Sequence, residues 1–313
     1  MALAFVFPGQ GSQAVGMGRA LHEVFPTARL VFEEVDEALQ QRLSRLMFEG
    51  PEAELILTEN AQPALMAVSL ALIRVLERDG GFSLAKRVSF IAGHSLGEYS
   101  ALAAAGSIRL ADAARLLKTR GQAMQKAVPV DVGAMAALLG LDLDKAEAVA
   151  EDAAEDEVCD VANDNAPGQV VVSGHKAAVE RAAALAKERG AMRALMLPVS
   201  APFHCALMEP AAEAMEEALA QVAFEPPAVP LIANVTAEPV TDPATIRKLL
   251  VSQVTGRVRW RESMLAMKER EVDRLVEVGA GRVLSGLAKR IARELDPSSI
   301  QTPEEVERFL KSV

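Results

Sequence analysis

The chain predicts a mixed α/β fold built on a parallel sheet, with a βαββαβ segment set into it. Three observations carry this expectation. Residues 3–7 form an apolar run ended by Pro8-Gly9-Gln10-Gly11-Ser12, as a buried parallel strand feeding a glycine-rich loop does. The apolar run 88–92 leads into Gly93-His94-Ser95-Leu96-Gly97 and then a helix-like stretch over 98–105. That is the order of a nucleophile elbow, in which a sharp strand-to-helix turn lifts a serine hydroxyl clear of the sheet. Between about 128 and 198 the patterns run strand, helix, strand, strand, helix, strand, the split-βαβ or ferredoxin-like arrangement.

Composition agrees with this class and excludes others. Half of the 313 residues are apolar and only 4% aromatic, so helices should outnumber strands. A net charge of -10 argues against a nucleic-acid binder, which needs a basic face to release counterions. Cys159 and Cys205 have neither metal spacing nor a disulfide framework and point to a reducing compartment. The run 3–7 is too short for a signal-peptide core, and no stretch approaches about 18 consecutive apolar residues. A cytoplasmic protein without a membrane segment is expected.

Along the chain, helical patterns follow the first strand at about 17–25, 29–46 and 61–79, the last stopped by Gly80-Gly81. Two more lie at 97–106 and 111–126. In the middle segment, strands are expected at 134–139, 157–163, 169–173 and 192–197, with helices at 143–155 and 176–189. Asn165-Ala166-Pro167-Gly168 supplies turn chemistry between the two central strands. Beyond Pro198 come a helix near 206–222, a strand at 230–235, helices near 243–254 and 260–270, and a strand at 274–278. Gly279-Ala280-Gly281 opens another helix, and Thr302-Pro303-Glu304-Glu305 starts the last as a capping box with proline at its first position. The expected division is one α/β domain from 1–127 and 199–313, with 128–198 as an inserted subdomain.

The chemistry centres on Ser95. A serine nucleophile needs a neighbouring base, usually histidine, and the chain has four. His22 lies in a polar helical stretch and is expected to face solvent; His175 begins a helix. His94, beside Ser95 in a sharp turn, points elsewhere and is expected to be a supporting group. His204 follows Val199-Ser200-Ala201-Pro202-Phe203 at a crossing between domains, where clefts form, and is the candidate base. The backbone N–H of Leu96 is placed to face a developing oxyanion, and Gln10 in the first loop offers a second N–H. Periodicity alone makes Arg120 a cation near a helix C-terminus. The GxG at 279–281 has Leu284 at the third glycine position of a dinucleotide fingerprint, so a Rossmann site is rejected. No HExxH, CxxC pair or P-loop is present, and no metal site is expected.

Taken together, Phe7-Pro8-Gly9-Gln10-Gly11-Ser12-Gln13, Gly93-His94-Ser95-Leu96-Gly97-Glu98-Tyr99, Arg120-Gly121-x-x-Met124-Gln125 and Pro202-x-His204 resemble the malonyl-CoA:acyl carrier protein transacylase family. Asn165-x-Pro167-Gly168-Gln169, Asn234-Val235-Thr236, Gln253 ahead of Trp260, and Glu277-Val278-Gly279-x-Gly281 are similar to further landmarks of that family, so the resemblance runs nearly end to end. It implies an α/β-hydrolase-like domain carrying a ferredoxin-like subdomain. It implies acylation of Ser95, proton transfer by His204, and an oxyanion hole from the Gln10 and Leu96 amides. By the same resemblance Arg120 binds the malonyl carboxylate, and the Gln253 backbone carbonyl orients His204 in place of an acid, making a dyad. Substrates are then malonyl-CoA and the phosphopantetheine thiol of acyl carrier protein, with no tightly bound cofactor and a monomer expected. Phe203 and Leu96 resemble versions preferring malonyl over methylmalonyl groups, and the absence of a fused synthase segment points to dissociated fatty acid synthesis. Two departures are Gly256-Arg257, where many relatives carry proline, and Ala280 in place of another proline.

The carrier is acidic by family expectation, so docking calls for local cations. Lys118, Lys126, Lys176, Arg181, Arg257, Arg259, Lys289 and Arg290 are candidates. The competing reading is a serine esterase or thioesterase, which shares the elbow and leaves Arg120 without a use.

Overall fold

The computed structural model describes residues 2–313 and contains ten strands in two sheets. In chain order they are β1 (Ala2–Phe7), β2 (Val88–Gly93), β3 (Gly133–Leu139), β4 (Cys159–Ala166), β5 (Gln169–His175), β6 (Arg193–Met196), β7 (Leu231–Ile232), β8 (Pro239–Val240), β9 (Val272–Val278) and β10 (Pro297–Ile300). One sheet has the order β10-β9-β1-β2-β7-β8 and is parallel except for the β7–β8 pair. The other, β4-β5-β3-β6, is antiparallel throughout.

The central strand β1 shows why its sequence is apolar without alternation. Leu3, Phe5 and Phe7 enter the core beneath helix Thr58–Arg78, while Ala4 and Val6 enter a second core with Trp260, Met264 and Leu284. A strand covered on both faces has no polar side to display. Phe5 stacks on Phe82 with centroids 5.6 Å apart, and burying each such ring is worth about 1.5–3 kcal/mol. In the antiparallel sheet one face is apolar: Ala136, Leu138, Val170 and Val172 pack under helices Leu143–Ala154 and Lys176–Glu188.

The register of the parallel sheet sets up the site. Phe7 pairs with Gly93, so the loop after β1 and the turn after β2 leave the sheet side by side at its carboxyl edge, where open α/β sheets bind ligands. The His94 amide N–H donates to the Phe7 carbonyl at 3.0 Å, tying the two loops together.

Several elements differ from expectation. The helix expected over 29–46 is two helices, Pro26–Leu39 and Leu43–Glu49, separated where Gln40 adopts φ +51. No glycine or proline marks that break. The strand expected over 230–235 is only Leu231–Ile232, because Asn234 is drawn into the elbow. The helix near 206–222 starts with a 3-10 turn, Ala206–Met208, before Glu209–Ala220. Strands β8 and β10 carry no clear sequence pattern.

Candidate active site

The elbow is built by glycine. A Cβ on Gly93 would lie 1.8 Å from the Gly97 carbonyl carbon, and one on Gly97 would lie 2.3 Å from the Phe7 carbonyl oxygen. Strand and helix therefore touch backbone to backbone. Gly93→Ala is expected to lower stability by about 3 kcal/mol or more, read as a reduced denaturant midpoint at unchanged slope. An unchanged midpoint would mean that the turn relaxes freely.

Between the two glycines Ser95 adopts φ +53, a conformation side chains rarely take outside special turns. Its backbone is clamped at both ends: its N–H donates to Asn234 Oδ1 at 2.8 Å, and its carbonyl accepts from Gln253 Nε2 at 2.9 Å. Asn234 also donates through Nδ2 to the Gly93 carbonyl at 2.7 Å. These bonds fix the turn that aims the hydroxyl.

The hydroxyl meets two partners. Ser95 Oγ lies 2.8 Å from His204 Nε2 and accepts from Arg120 Nη2 at 3.1 Å. His204 itself is buried, with φ +58, and its Nδ1 lies 2.8 Å from the Gln253 carbonyl oxygen and 3.2 Å from that of Gly256. Carbonyls only accept, so Nδ1 carries the proton and Nε2 presents its lone pair to the serine. Among the described residues no carboxylate accepts from Nδ1, and the histidine facing Ser95 is held by main chain.

Arg120 lies inside helix Leu110–Lys126 rather than at its end, and is 1% exposed. The helix runs on through Gly121 because that glycine lies against the Thr58–Glu59 backbone, where a Cβ would approach to 2.5 Å. Nη1 donates to Gln62 Oε1 at 2.9 Å, Nη2 to Gln253 Oε1 at 2.8 Å, and Nε has no acceptor. A buried guanidinium without a carboxylate partner is costly unless it meets an anion in use.

These groups open on a cavity of about 380 Å³. Gln10, Leu96, Ser95, Arg120 and His204 line one side; Met135, Asn165, Val171 and Leu197, from the antiparallel sheet and the segment after it, line the other. Among the described residues neither the Gln10 nor the Leu96 N–H has a protein acceptor, and both belong to the two loops at the sheet edge. The Gln10 side chain is turned away to Thr58 Oγ1 at 3.3 Å.

The whole arrangement has relatives. A family model described as the acyl transferase domain matches residues 4–302. The chain belongs to the acyl transferase domain family. It is 48% identical to the malonyl CoA-acyl carrier protein transacylase of Escherichia coli (strain K12), over 96% of this chain and 96% of that protein. The structure of an acyl-carrier-protein-S-malonyltransferase from Bartonella henselae is 56% identical and superposes with a TM-score of 0.98, covering 100% of this chain and 99% of that one. A malonyl-transacylase solved in complex with its type II PKS acyl-carrier protein is 42% identical, with a TM-score of 0.96 and 100% of both chains covered.

In this acyl transferase His204 is tuned by its surroundings. Burial, and next the Arg120 charge, hold His204 well below the ordinary histidine value, at about 3. The imidazole is thus neutral throughout the physiological range. His204 is expected to add no acid limb to the rate of acylation between about pH 8 and about pH 5; a limb near 6.5, the ordinary histidine value, would contradict this. Stability does depend on pH: below 6.5 the unfolded chain takes up a proton that folded His204 refuses, so burial of the ring costs stability as pH falls.

The other expected residues fall as follows. His94 points away from Ser95, its Nε2 lying 2.8 Å from Asn165 Oδ1 and its ring 5.4 Å from that of Trp260. His22 does not simply face solvent, since its ring packs 5.2 Å from Phe48. His175 accepts the Val158 N–H through Nδ1 at 2.9 Å. Cys159 and Cys205 are buried free thiols, pushed by desolvation up to about 12 and about 11. Of the candidate cations, Lys118, Lys176, Arg181, Arg257 and Arg259 are in ion pairs with Glu59, Asp131, Glu157, Glu147 and Glu262. Arg290 instead donates to Gln169 Oε1 at 2.5 Å. Among the described residues no cluster of His, Cys, Asp and Glu suits a metal ion, and no helix is long and apolar enough to cross a membrane.

Sequence reasoning quoted Glu98 and Asn234 only as parts of family motifs, without a role for either, and did not single out Gln62. Gln62 had a signal, since a polar residue inside the long apolar stretch 61–76 is either partnered or misplaced.

Proposed function

We propose that the chain moves a malonyl group from malonyl-CoA to the phosphopantetheine thiol of acyl carrier protein, through a malonyl ester on Ser95. In the first half-reaction Ser95 Oγ attacks the thioester carbonyl while its proton passes to His204 Nε2. The tetrahedral oxyanion is received by the Gln10 and Leu96 N–H groups, and collapse expels the CoA sulfur, which takes the proton back from His204. In the second half-reaction the carrier thiol gives its proton to His204, attacks the ester, and Ser95 leaves with that proton. The Gln253 carbonyl holds the imidazole in the required tautomer, and His94 supports the turn through Asn165.

One observation carries the choice of acyl group: the Arg120 guanidinium lies buried beside Ser95 Oγ. A carboxylate on the acyl group supplies the anion that this cation lacks, and guanidinium geometry suits bidentate recognition. An esterase or thioesterase shares the dyad but has no use for Arg120. In the chain's architecture, 128–198 is read as a ferredoxin-like subdomain inserted in an α/β-hydrolase-like domain formed by 1–127 and 199–313. The order and pairing of β3 to β6 support this reading. A monomer acting in the cytoplasm is the corresponding reading of its state and place.

Intact-protein mass spectrometry tests the proposal. Brief exposure to malonyl-CoA should give a single malonyl adduct that disappears on adding phosphopantetheinylated carrier protein, with matching mass gain on the carrier. An adduct lost at the same rate with or without carrier would favour the hydrolase.

A further inference from the structure

Behind the cavity wall lies an acid that does not line the cavity. Glu98, 2% exposed, sits in the first turn of helix Gly97–Ala104. One of its carboxylate oxygens accepts the Asn234 backbone N–H at 2.7 Å, and the other accepts Gln253 Nε2. The opposite end of the same amide, Gln253 Oε1, accepts from Arg120 Nη2 at 2.8 Å. Among the described residues Arg120 has no direct ion pair; the Gln253 amide stands between it and Glu98.

That chain has a direction. A carboxylate only accepts and a guanidinium only donates, so an amide bridging them is satisfied in one orientation, NH2 toward the acid and oxygen toward the arginine. Burial pushes the Glu98 carboxyl up to about 8, while the Asn234 and Gln253 donors, one on each oxygen, and the Arg120 charge favour the carboxylate, the form that both contacts fit. The geometry points to Glu98 as a positioning residue that fixes Arg120, through Gln253, in the pose that receives a malonyl carboxylate, and so sets the preference for carboxylated over neutral acyl groups. The inference rests on the reading above in which Arg120 takes that carboxylate.

In Glu98→Gln, the introduced amide keeps the Asn234 bond only by turning its NH2 toward Gln253. Gln253 must then flip and present its own NH2 to the guanidinium, donor against donor. Arg120 Nη2 loses the Gln253 acceptor that fixes its pose; the flip also turns Gln253 Oε1 toward the Ser95 carbonyl and breaks that clamp, a loss that falls on both acyl donors alike.

The test is the ratio of kcat/KM for enzyme loading by malonyl-CoA to that by acetyl-CoA. It is measured for the intact chain, Glu98→Gln, Gln253→Met, Arg120→Ala, and Glu98→Gln combined with Arg120→Ala. Using a ratio cancels any general damage to the dyad. We expect the ratio to fall about tenfold in Glu98→Gln, the scale of losing one charged hydrogen bond, and to fall similarly in Gln253→Met, which keeps the main-chain carbonyl that faces His204. In the double variant the ratio should equal that of Arg120→Ala alone. Parallel loss with both donors in Glu98→Gln, leaving the ratio unchanged, overturns the inference and leaves Glu98 a purely structural group. Should Glu98→Gln fail to fold, Gln253→Met decides, because an intact ratio there removes the relay. An unchanged ratio in Arg120→Ala overturns the carboxylate assignment itself, and the inference with it.

Discussion

Ser95→Ala is expected to take up no malonyl group from malonyl-CoA, with turnover reduced by about 10⁴-fold or more. The reason is local. Ser95 Oγ is the hydroxyl that both His204 Nε2 and Arg120 Nη2 reach, at 2.8 and 3.1 Å, and alanine removes it while leaving the backbone bonds to Asn234 and Gln253 in place. Neither cysteine is fit to replace it. Both thiols are buried and pushed far above neutral pH, so neither supplies a thiolate. Intact mass and thermal midpoint read together check the result; labelling that survives in a normally folded variant would place the nucleophile elsewhere.

Arg120→Ala is expected to cut malonyl transfer by about ten- to a hundred-fold or more while largely sparing acetyl transfer. A hydrogen bond to a charged group is worth about 1.5–3 kcal/mol, and each 1.36 kcal/mol is about tenfold in rate. The substitution also strips Gln62 and Gln253 of their shared donor, so some stability will be lost whichever acyl group is used. Comparing two donors in the same variant separates the effects. Equal losses for malonyl and acetyl would show that the cation supports the fold and does not select the substrate.

Much of this site is legible in the chain because its parts announce themselves by local chemistry. The run 3–7 is apolar on both faces and the run 88–92 is apolar but for Ser89, so each reads as a buried parallel strand, and the glycines that follow mark the loops that carry Gln10 and Ser95. His204 stands out because the alternatives are few. The meaning of Arg120 is hidden from periodicity, since a helix end and a helix interior offer the same residue pattern until Gly121 is seen against the Thr58–Glu59 backbone. Glu98 and Asn234 are hidden for another reason. Their partners lie more than a hundred residues away, and only the pairing of β2 with β7 brings Asn234 beneath the elbow. The break at Gln40 leaves no trace either, because an ordinary residue there takes a left-handed conformation without glycine.

The cavity has two walls of different descent. Ser95 follows β2 of the parallel sheet, Arg120 lies in helix Leu110–Lys126 and His204 in the segment after β6, whereas Met135, Asn165 and Val171 come from strands of the antiparallel sheet. Both sheets therefore contribute side chains to the one space onto which the Ser95–His204 pair opens. In the proposed reaction the charge of the acyl group is thus read by Arg120 beside Ser95, and exchanges at Met135 or Val171 are expected to change the room for it while Ser95, His204 and Arg120 keep their contacts.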